Sequence, residues 1–301
     1  MKHTDKIKRQ DGFTMMELMI SVLILIPIMG AAISLFSVGV DQQSSEQNSI
    51  DTNQEARSAL EMMTTEIAQA GSHGDISTVT TGTVGALSTV QALSVASVAG
   101  LMVGDWVDVD TGAVSEIVEI KAIGSNSISG IFMSPHTTAG VPVRLFALPY
   151  TTGMIPPIGM AANASSAVTT LRFFGDINSD STLQYVEYTY DAANNQITRS
   201  ITPVAQANRN PALPLIRNIK PNSVQFTVNT DSLGVITSAN IALTVQNTWT
   251  TASQLQETAL ATRIVIPSAA AGSVLLSELR QFGGVDRLPP TPAQVTTWVN
   301  Q

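Results

Sequence analysis

The apolar positions in the first seventy residues form two successive patterns. Leu18 to Val40 is a run of 23 residues without a charge, which makes about 34 Å of helix and is enough to cross a hydrocarbon core of about 30 Å. From Asp41 to Ala70 there is no Gly or Pro, and Gly71 follows as the expected end of a helix. In this second part the apolar residues recur at three- and four-residue steps: Ala56, Ala59, Leu60, Met63, Ile67 and Ala70. The pattern predicts one long helix over 13–71, membrane-spanning at 18–40 and packed on a sheet through its second half.

After Gly71 the pattern changes to short runs rich in Val, Ile and Thr, separated by Gly, Asn, Asp and Ser, which is typical of antiparallel strands. Over 75–150 we predict a small inserted β module, with Asp105, Asp108 and Asp110 on a solvated strand face. Over 151–267 we predict a larger β-sheet head, with strands near 169–174, 184–190, 196–201, 223–229, 240–245 and 258–266. The last segment, 268–301, is expected to be a peripheral helix and a loose tail.

The fold class predicted from these elements is α+β. A long N-terminal helix packs on an antiparallel β-sheet head, and a small β module is inserted between them. The chain is 44% hydrophobic and 13% charged, which excludes wholesale disorder.

Few functional groups of the usual enzymatic kinds are present. There is no cysteine, and therefore no disulfide, thiolate metal site or cysteine nucleophile. The three histidines lie far apart in the sequence, which argues against a multi-histidine metal centre. The sequence contains no nucleophile elbow, HExxH motif, dinucleotide-binding fingerprint or P-loop. We therefore expect that the chain is not an enzyme.

The charges are distributed unevenly along the chain. Four of the 15 basic residues but only two of the 23 acidic ones lie in residues 1–12. The first segment is therefore net positive and the remainder strongly acidic. The positive-inside rule then predicts a cytoplasmic N-terminus. An acidic body lacks the positive surface that nucleic acid requires, so no nucleic-acid partner is expected.

Glu17 stands at the head of the apolar run. A carboxylate next to hydrocarbon costs a few kcal/mol unless it has a partner, so Glu17 is a candidate functional residue. The alternative is a plain membrane anchor in which Glu17 lies among the lipid headgroups. A cleaved secretory signal fits less well, because no small-residue cleavage site follows the apolar run. Further along, Pro27 removes one helical hydrogen bond and predicts a kink or local unwinding.

The segment KRQDGFTMMELMISVLILIPI resembles the class III signal of type IV prepilins and type II secretion pseudopilins, in type and spacing of residues. This resemblance implies that prepilin peptidase cleaves after Gly12. Phe13 then becomes the first residue and carries an N-methylated amine, which Glu17 of a neighbouring subunit neutralises during assembly. Residues 1–12 would be the leader. The helix sequence QEARSALEMMTTEIAQAG further resembles PilW-like minor pilins and, less closely, the J-type minor pseudopilin.

The resemblance implies a type IV pilin-like fold and a role as a minor pilin. Such a subunit is incorporated at or near the pilus tip, primes assembly and presents its β head. The implied partners are the prepilin peptidase, other minor and major pilins and the inner-membrane assembly platform. The chain would cross the inner membrane once, with a periplasmic head, and then move to the pilus or cell surface. The alternatives are a minor pseudopilin of type II secretion, and a membrane-anchored enzyme or sensor whose leader match is accidental.

Residues 176–187 have the spacing of an EF-hand-like calcium loop. Oxygen-bearing side chains stand at positions 1, 3, 5, 9 and 12, and position 7 would contribute its carbonyl. Ser181 occupies position 6, where Gly normally makes the turn. The alternative is a polar turn that needs no metal. Calcium is the one cofactor that the sequence suggests, with these candidate ligands: Asp176, Asn178, Asp180, Thr182, Gln184 and Glu187.

Overall fold

A computed structural model describes residues 12–157, 159–247 and 255–281. It contains a long apolar N-terminal helix and antiparallel β-sheets, so the chain belongs to the α+β class. Most of the predicted leader (1–11) and the predicted tail (282–301) lie outside the described residues.

The first helix, α1, runs from Met15 to Ala68 and contains 54 residues. It is long and apolar enough to cross a membrane. The helix does not unwind at Pro27, in contrast to one of the two outcomes we expected, because the missing hydrogen bond is a single one in a long ladder. Every residue from 15 to 44 is exposed, and the first buried one is Ser45. A bare apolar helix of about 45 Å therefore projects from the rest of the molecule.

The second half of α1 packs through the predicted apolar stripe. All six residues of the stripe are buried, with 0–7% of their surface exposed. They join residues of the head sheets in one hydrophobic core that includes Phe173, Tyr188, Phe226 and Ile241. The prediction that this half packs on a sheet is confirmed.

The segment after α1 folds into seven short strands. They form two antiparallel sheets, in the orders β1-β7-β3-β4 and β2-β6-β5. Between them lies a separate hydrophobic core that includes Leu93, Val107, Ile120 and Phe132. The strands are β1 Ser77–Val79, β2 Leu87–Ser94, β3 Trp106–Val109, β4 Glu116–Glu119, β5 Ala122–Ile123, β6 Ser127–Phe132 and β7 Pro142–Ala147, and a 3-10 turn spans Gly112–Val114. We refer to this unit as the β module.

The head contains two further four-stranded antiparallel sheets, in the orders β12-β11-β10-β9 and β15-β14-β13-β8. Only Thr169 separates β8 from β9, so the chain crosses there from one sheet to the other. Helix α2 follows the last strand. The elements are β8 Ser165–Val168, β9 Thr170–Gly175, β10 Gln184–Asp191, β11 Gln196–Pro203, β12 Leu213–Ile216, β13 Gln225–Thr230, β14 Ile236–Gln246, β15 Glu257–Val265 and α2 Ser268–Gln281.

The β module packs on the face of the head sheet that is turned away from α1. Tyr185 and Phe174 are cross-strand partners in β10 and β9. They alternate with Val186 and Tyr188, which lie in the core around α1. Side chains from both units form this contact: Met102, Leu145, Leu148 and Tyr150 on one side, and Phe174, Leu183, Tyr185 and Val204 on the other. The central head sheet is therefore covered on both faces.

Two glycines with positive φ make the exit from α1 possible. Gly71 has φ 81° and Gly153 has φ 70°. The Gly71 N–H donates to the carbonyl of Phe174 at 2.9 Å, and a Cβ added to Gly153 would lie 2.1 Å from the Gly71 nitrogen. No other residue fits at Gly153 without moving the backbone.

Candidate processing and assembly site

The predicted cleavage bond lies between Gly12 and Phe13, just before α1 begins. Neither residue is helical. Phe13 is 80% exposed, and no atom lies within 4 Å of the position that a Cβ on Gly12 would take. A peptidase requires an accessible bond that is free of helical hydrogen bonding, and this bond meets both conditions.

Thr14 and Glu17 close the N-terminus of α1 through a capping box. The Glu17 N–H donates to Thr14 Oγ1 at 3.3 Å, and the Thr14 N–H donates to Glu17 Oε2 at 3.1 Å. The Thr14 hydroxyl also lies 3.0 Å from the same Oε2. The N–H groups at the start of a helix have no acceptor within the helix, and the Glu17 carboxylate accepts a hydrogen bond from the Thr14 N–H there. The carboxylate also interacts favourably with the positive end of the helix dipole.

The other carboxylate oxygen of Glu17, Oε1, takes no part in the capping box. Among the described residues, no donor forms a hydrogen bond with Oε1. An exposed carboxylate oxygen can accept a charge-assisted hydrogen bond from an ammonium group of another chain. Glu17 can therefore cap its own helix and bind a cation of a neighbour at the same time.

The orientation of α1 on the head is fixed by a buried ionic cluster near its C-terminal end. Glu66 accepts hydrogen bonds from the hydroxyl of Tyr188 and from the guanidinium of Arg199, whose Nε lies 3.1 Å from Oε2. Burial and the adjacent Glu66 charge raise the pKa of Tyr188, which therefore stays protonated and donates. Near the start of the packed half of α1, Asn247 Nδ2 donates to the Ser45 hydroxyl at 3.3 Å. These polar contacts lie at both ends of the packed half of α1.

The loop proposed for calcium is closed by its own backbone. Asp176 accepts hydrogen bonds from the N–H groups of Asp180 at 3.0 Å and Ser181 at 2.9 Å. Asp180 in turn accepts from the N–H of Thr182 at 2.8 Å. Ser181 has φ 64°, the left-handed conformation that an EF-hand-like loop needs at position 6. These contacts form a polar turn that is closed by hydrogen bonds within the loop.

Glu187 does not lie beside this turn as a calcium loop would require. It lies in strand β10 and pairs across the strands with Arg172, which is four residues before Asp176 and so about 13 Å away along β9. Gln184, the first residue of β10, is buried and pairs with Gly175, directly before Asp176. Asn178 lies in the turn itself. Of the predicted ligands, Glu187 is therefore the one that the strand pairing places away from Asp176.

The Glu187 carboxylate instead accepts hydrogen bonds from two arginines and one tyrosine. It accepts from Arg172 Nε at 3.1 Å, Arg209 Nη1 at 2.8 Å and the Tyr185 hydroxyl at 2.7 Å. Burial opposes its ionisation, but the Tyr185 hydroxyl and the two guanidinium groups outweigh burial and lower the pKa of Glu187. In the described part of the chain, no group of three or more acidic or histidine side chains is placed to hold a metal ion. Calcium binding stays a prediction, for which Glu187 would have to leave both arginines.

Two polar clusters in the β module were not found in the sequence. His136 is fully buried, with Nδ1 3.1 Å from Asp110 Oδ2 and Nε2 2.8 Å from Glu116 Oε1. Asp105 is also 0% exposed: its Oδ2 accepts from the Met102 N–H at 2.7 Å, and its Oδ1 has no hydrogen bond. The interpretation of Asp105 as a residue of a solvated face is therefore wrong. Asp108 and Asp110 are both half-buried: Asp108 accepts from the Ser115 hydroxyl, and Asp110 contacts His136.

No protein-family model matches the chain, no curated protein matches it, and no solved structure does.

Proposed function

We propose that this protein is a minor pilin of a type IV pilus. In this proposal the prepilin peptidase removes residues 1–12, and α1 then joins a bundle of helices from other minor and major pilins at or near the filament tip. The acidic β head, which carries the β module, is presented outward. In this proposal the fold is type IV pilin-like. The subunit stays in the inner membrane, with its head in the periplasm, until the assembly platform extracts it.

One arrangement carries the proposal: an accessible Gly12–Phe13 bond, directly followed by a capped helix whose first turn bears Glu17 and whose next 23 residues are exposed and uncharged. A patch of exposed apolar surface of this length must meet lipid or other apolar helices. The same helix can contact lipid first, in the bilayer, and other apolar helices later, in a filament core.

The chemistry of cleavage explains why Glu17 is needed. Hydrolysis of the Gly12–Phe13 bond releases the carboxylate of Gly12 and creates an ammonium group on Phe13. That cation lies beside the N-terminus of its own helix, where the helix dipole disfavours positive charge. Burial among apolar helices makes an unpaired cation more costly still. The unoccupied Oε1 of Glu17 on a neighbouring subunit offers the compensating charge.

A minor pseudopilin of a type II secretion system is the second candidate, since its leader and helix follow the same pattern. The genes beside this one distinguish the two roles: pilus-assembly genes favour the first and secretion genes the second. A membrane-anchored enzyme or sensor is the third candidate, and it requires a mature chain that still begins at Met1.

Mass spectrometry of the mature N-terminus tests the proposal. We expect protein from membranes and sheared filaments to begin with a methylated Phe13, and the Gly12→Ala variant to keep its leader. A matched control is Gly30→Ala, which changes a glycine inside α1 where, as at Gly12, no neighbour lies within 4 Å of an added Cβ. Recovery of the wild-type chain with residues 1–12 attached in cells that contain active peptidase would overturn the proposal.

A further inference from the structure

Strand β8 forms one edge of a head sheet, and the register of this sheet shows which of its backbone groups face outward. β8 pairs with β13 on one side, and no described strand pairs with it on the other. The Thr230 N–H donates to the carbonyl of Ala164 at 2.9 Å, and in an antiparallel ladder such bonded pairs recur at every second residue. Ser165 and Ala167, which lie between the bonded positions, therefore direct their N–H and C=O groups away from β13.

This edge lacks the features that keep other strands from adding to a sheet. Natural edge strands usually carry a charged side chain, a proline or a bulge for this purpose. Residues 159–171 contain no charged residue and no proline, and the pairing of β8 with β13 has no register shift. In contrast, β15 at the other edge of the same sheet carries Glu257 and Arg263. Of these two edges, the one at β8 is open to a further strand.

There is space for a second backbone beside β8. A groove of about 410 Å³ has Ala167 and Val168 on one side and Pro156 and Pro157 on the other. Just before these prolines, the Ile155 N–H donates to a carbonyl of β9 at 2.9 Å. The prolines have no N–H to donate, so this row of pairing cannot continue from β9 along β8. The groove therefore leaves the outward groups of β8 accessible.

The outward groups of β8 are complementary to those of β8 in a second copy of the chain. In an antiparallel pair, opposite residues at a bonded position exchange both of their hydrogen bonds. If Ser165 lies opposite Ala167 of the second copy, then Ala167 lies opposite Ser165 of that copy, and every outward group of both strands is paired. A shift of this register would bring in Asn163, whose N–H is already bonded, or Thr169, whose carbonyl is already bonded. The hydrogen bonds therefore select one register.

We propose that β8 pairs with β8 of a second copy, antiparallel about a two-fold axis at Ser166, so that two four-stranded sheets join into one continuous sheet. The side chains at the junction are those of Ser165, Ser166 and Ala167, which are small and uncharged, so no like charges meet there. Ala164 of each copy comes opposite Val168 of the other, where the groove provides room.

The symmetry of this contact limits the assembly to two copies. Both chains use the same strand, so the interface is isologous and neither open β8 edge remains after pairing. The remaining outer strand of each copy is β15, whose Glu257 and Arg263 oppose the addition of further strands. The inference goes beyond the proposed pilin role and does not require it, because it concerns only the head.

A single introduced cysteine tests the two-fold axis, because the chain has no cysteine of its own. In the proposed register Ser166 lies opposite itself, with Cα atoms about 4.5 Å apart, which is within the range of a disulfide. The neighbouring Ala167 lies diagonally across from itself, with Cα atoms roughly 8 Å apart, which is too far. On mild oxidation of the detergent-solubilised full chain, we expect Ser166→Cys to form a disulfide-linked dimer, and Ala167→Cys to form about tenfold less of it.

A proline on β8 tests whether the backbone edge makes the contact. Ala167→Pro removes an outward N–H that the pairing with β13 does not use. Ala261→Pro is the matched control on β15, because the Ile266 N–H donates to the carbonyl of Thr237 at 3.0 Å and the register then turns the Ala261 N–H outward as well. Combined with Ser166→Cys, we expect Ala167→Pro to abolish the disulfide-linked dimer and Ala261→Pro to leave it unchanged, with similar melting temperatures for both.

Three results would overturn the proposal. The first is a Ser166→Cys chain that stays monomeric on oxidation, whatever else covers the β8 edge. The second is equal cross-linking of Ser166→Cys and Ala167→Cys, which would contradict the register and does not depend on the proline variants. The third is an equal loss of the dimer with both prolines, which would show that the two copies meet elsewhere, for example through α1.

Discussion

Glu17 Oε2 lies 3.1 Å from the backbone nitrogen of Thr14 and 3.0 Å from its hydroxyl, while Oε1 forms no hydrogen bond with any described residue. One carboxylate therefore has an occupied and an unoccupied oxygen at the start of a bare apolar helix. The two roles of Glu17 are to cap its own helix and to neutralise the cation of a neighbour. Experiments can separate these roles because Thr14 takes part only in capping.

We expect Glu17→Ala and Thr14→Ala to differ in filament assembly. Each substitution removes the capping box and should destabilise the helix start. Only Glu17→Ala also removes the carboxylate, so only this variant should be lost from filaments while it still enters the membrane. Subunit content in sheared filaments and in membranes measures the difference. Equal losses for both variants would mean that Glu17 acts through capping.

The ionic cluster at the C-terminal end of α1 should contribute measurably to stability. Replacement of Glu66 by Gln leaves the partly buried guanidinium of Arg199 without its counter-charge. We expect the free energy of unfolding to fall by about 1–3 kcal/mol. Chemical denaturation in detergent measures the effect, and Glu61→Gln on the exposed side of the same helix is the control, with a change within about 0.5 kcal/mol. Similar effects for both variants would contradict a specific role of the cluster.

The His136 cluster should make the β module sensitive to acid. The hydrogen bond from His136, followed by that from the Thr111 N–H, lowers the pKa of Asp110. A carboxyl whose pKa is lower in the folded state adds stability above its unfolded pKa of about 3.9, and this stability is lost as the pH falls through the folded pKa. We expect His136→Gln to lower stability at pH 7 by about 1–3 kcal/mol and to reduce the further loss between pH 5 and 3.

Urea denaturation across this pH range measures the effect of His136→Gln. His73→Gln is the control, since the one hydrogen bond that the His73 ring forms among the described residues is with the carbonyl of the adjacent Gly74. If the free energy of unfolding fell as much between pH 5 and pH 3 in His136→Gln as in the unmodified chain, the pKa of Asp110 would not depend on His136.

Asp105 should have the opposite pH dependence. Burial raises the pKa of its carboxyl well above the ordinary value. A carboxyl with a raised folded pKa favours folding below its unfolded pKa, and this contribution is lost as the pH rises towards the folded pKa. Asp105→Asn keeps an acceptor for the Met102 N–H but cannot ionise. We expect the variant to melt at a higher temperature than the unmodified chain at pH 8 and to lose this advantage at pH 4. If the difference in melting temperature between the variant and the unmodified chain were the same at pH 8 and pH 4, the raised pKa of Asp105 would be contradicted.

The parts of the fold that sequence predicted are those with strong local patterns. The stripe from Ala56 to Ala70 identified the packed face of α1 because side chains three and four residues apart share one side of a helix. Six head strands were predicted close to their observed positions for the analogous reason. Strands β8 and β12 were missed because each has only four residues, and Pro214 interrupts the strand pattern of the second.

The parts that the sequence did not predict depend on tertiary contacts and on the geometry of turns. His136 lies 26 residues from Asp110 and 20 from Glu116, and no local pattern connects them. Asp105 looked like a surface residue of a strand, but a tight turn at its start directs the carboxylate back to the N–H of Met102. In the calcium-like loop, pairing of β10 with β9 places Glu187 opposite Arg172, and calcium binding stays a prediction. Strand pairing and turn geometry, which local patterns do not show, determine where these side chains lie.

The short interval between the last apolar residue of the span and the first buried residue of α1 has a mechanical consequence. Only Asp41–Ser44 separate Val40 from Ser45, and four helical residues measure about 6 Å. In the proposed role the head therefore lies next to the lipid headgroups, and no glycine or proline stands between it and the apolar segment. A tilt or rotation of α1 in the bilayer would then turn the head by the same angle and change which side of it other subunits can contact.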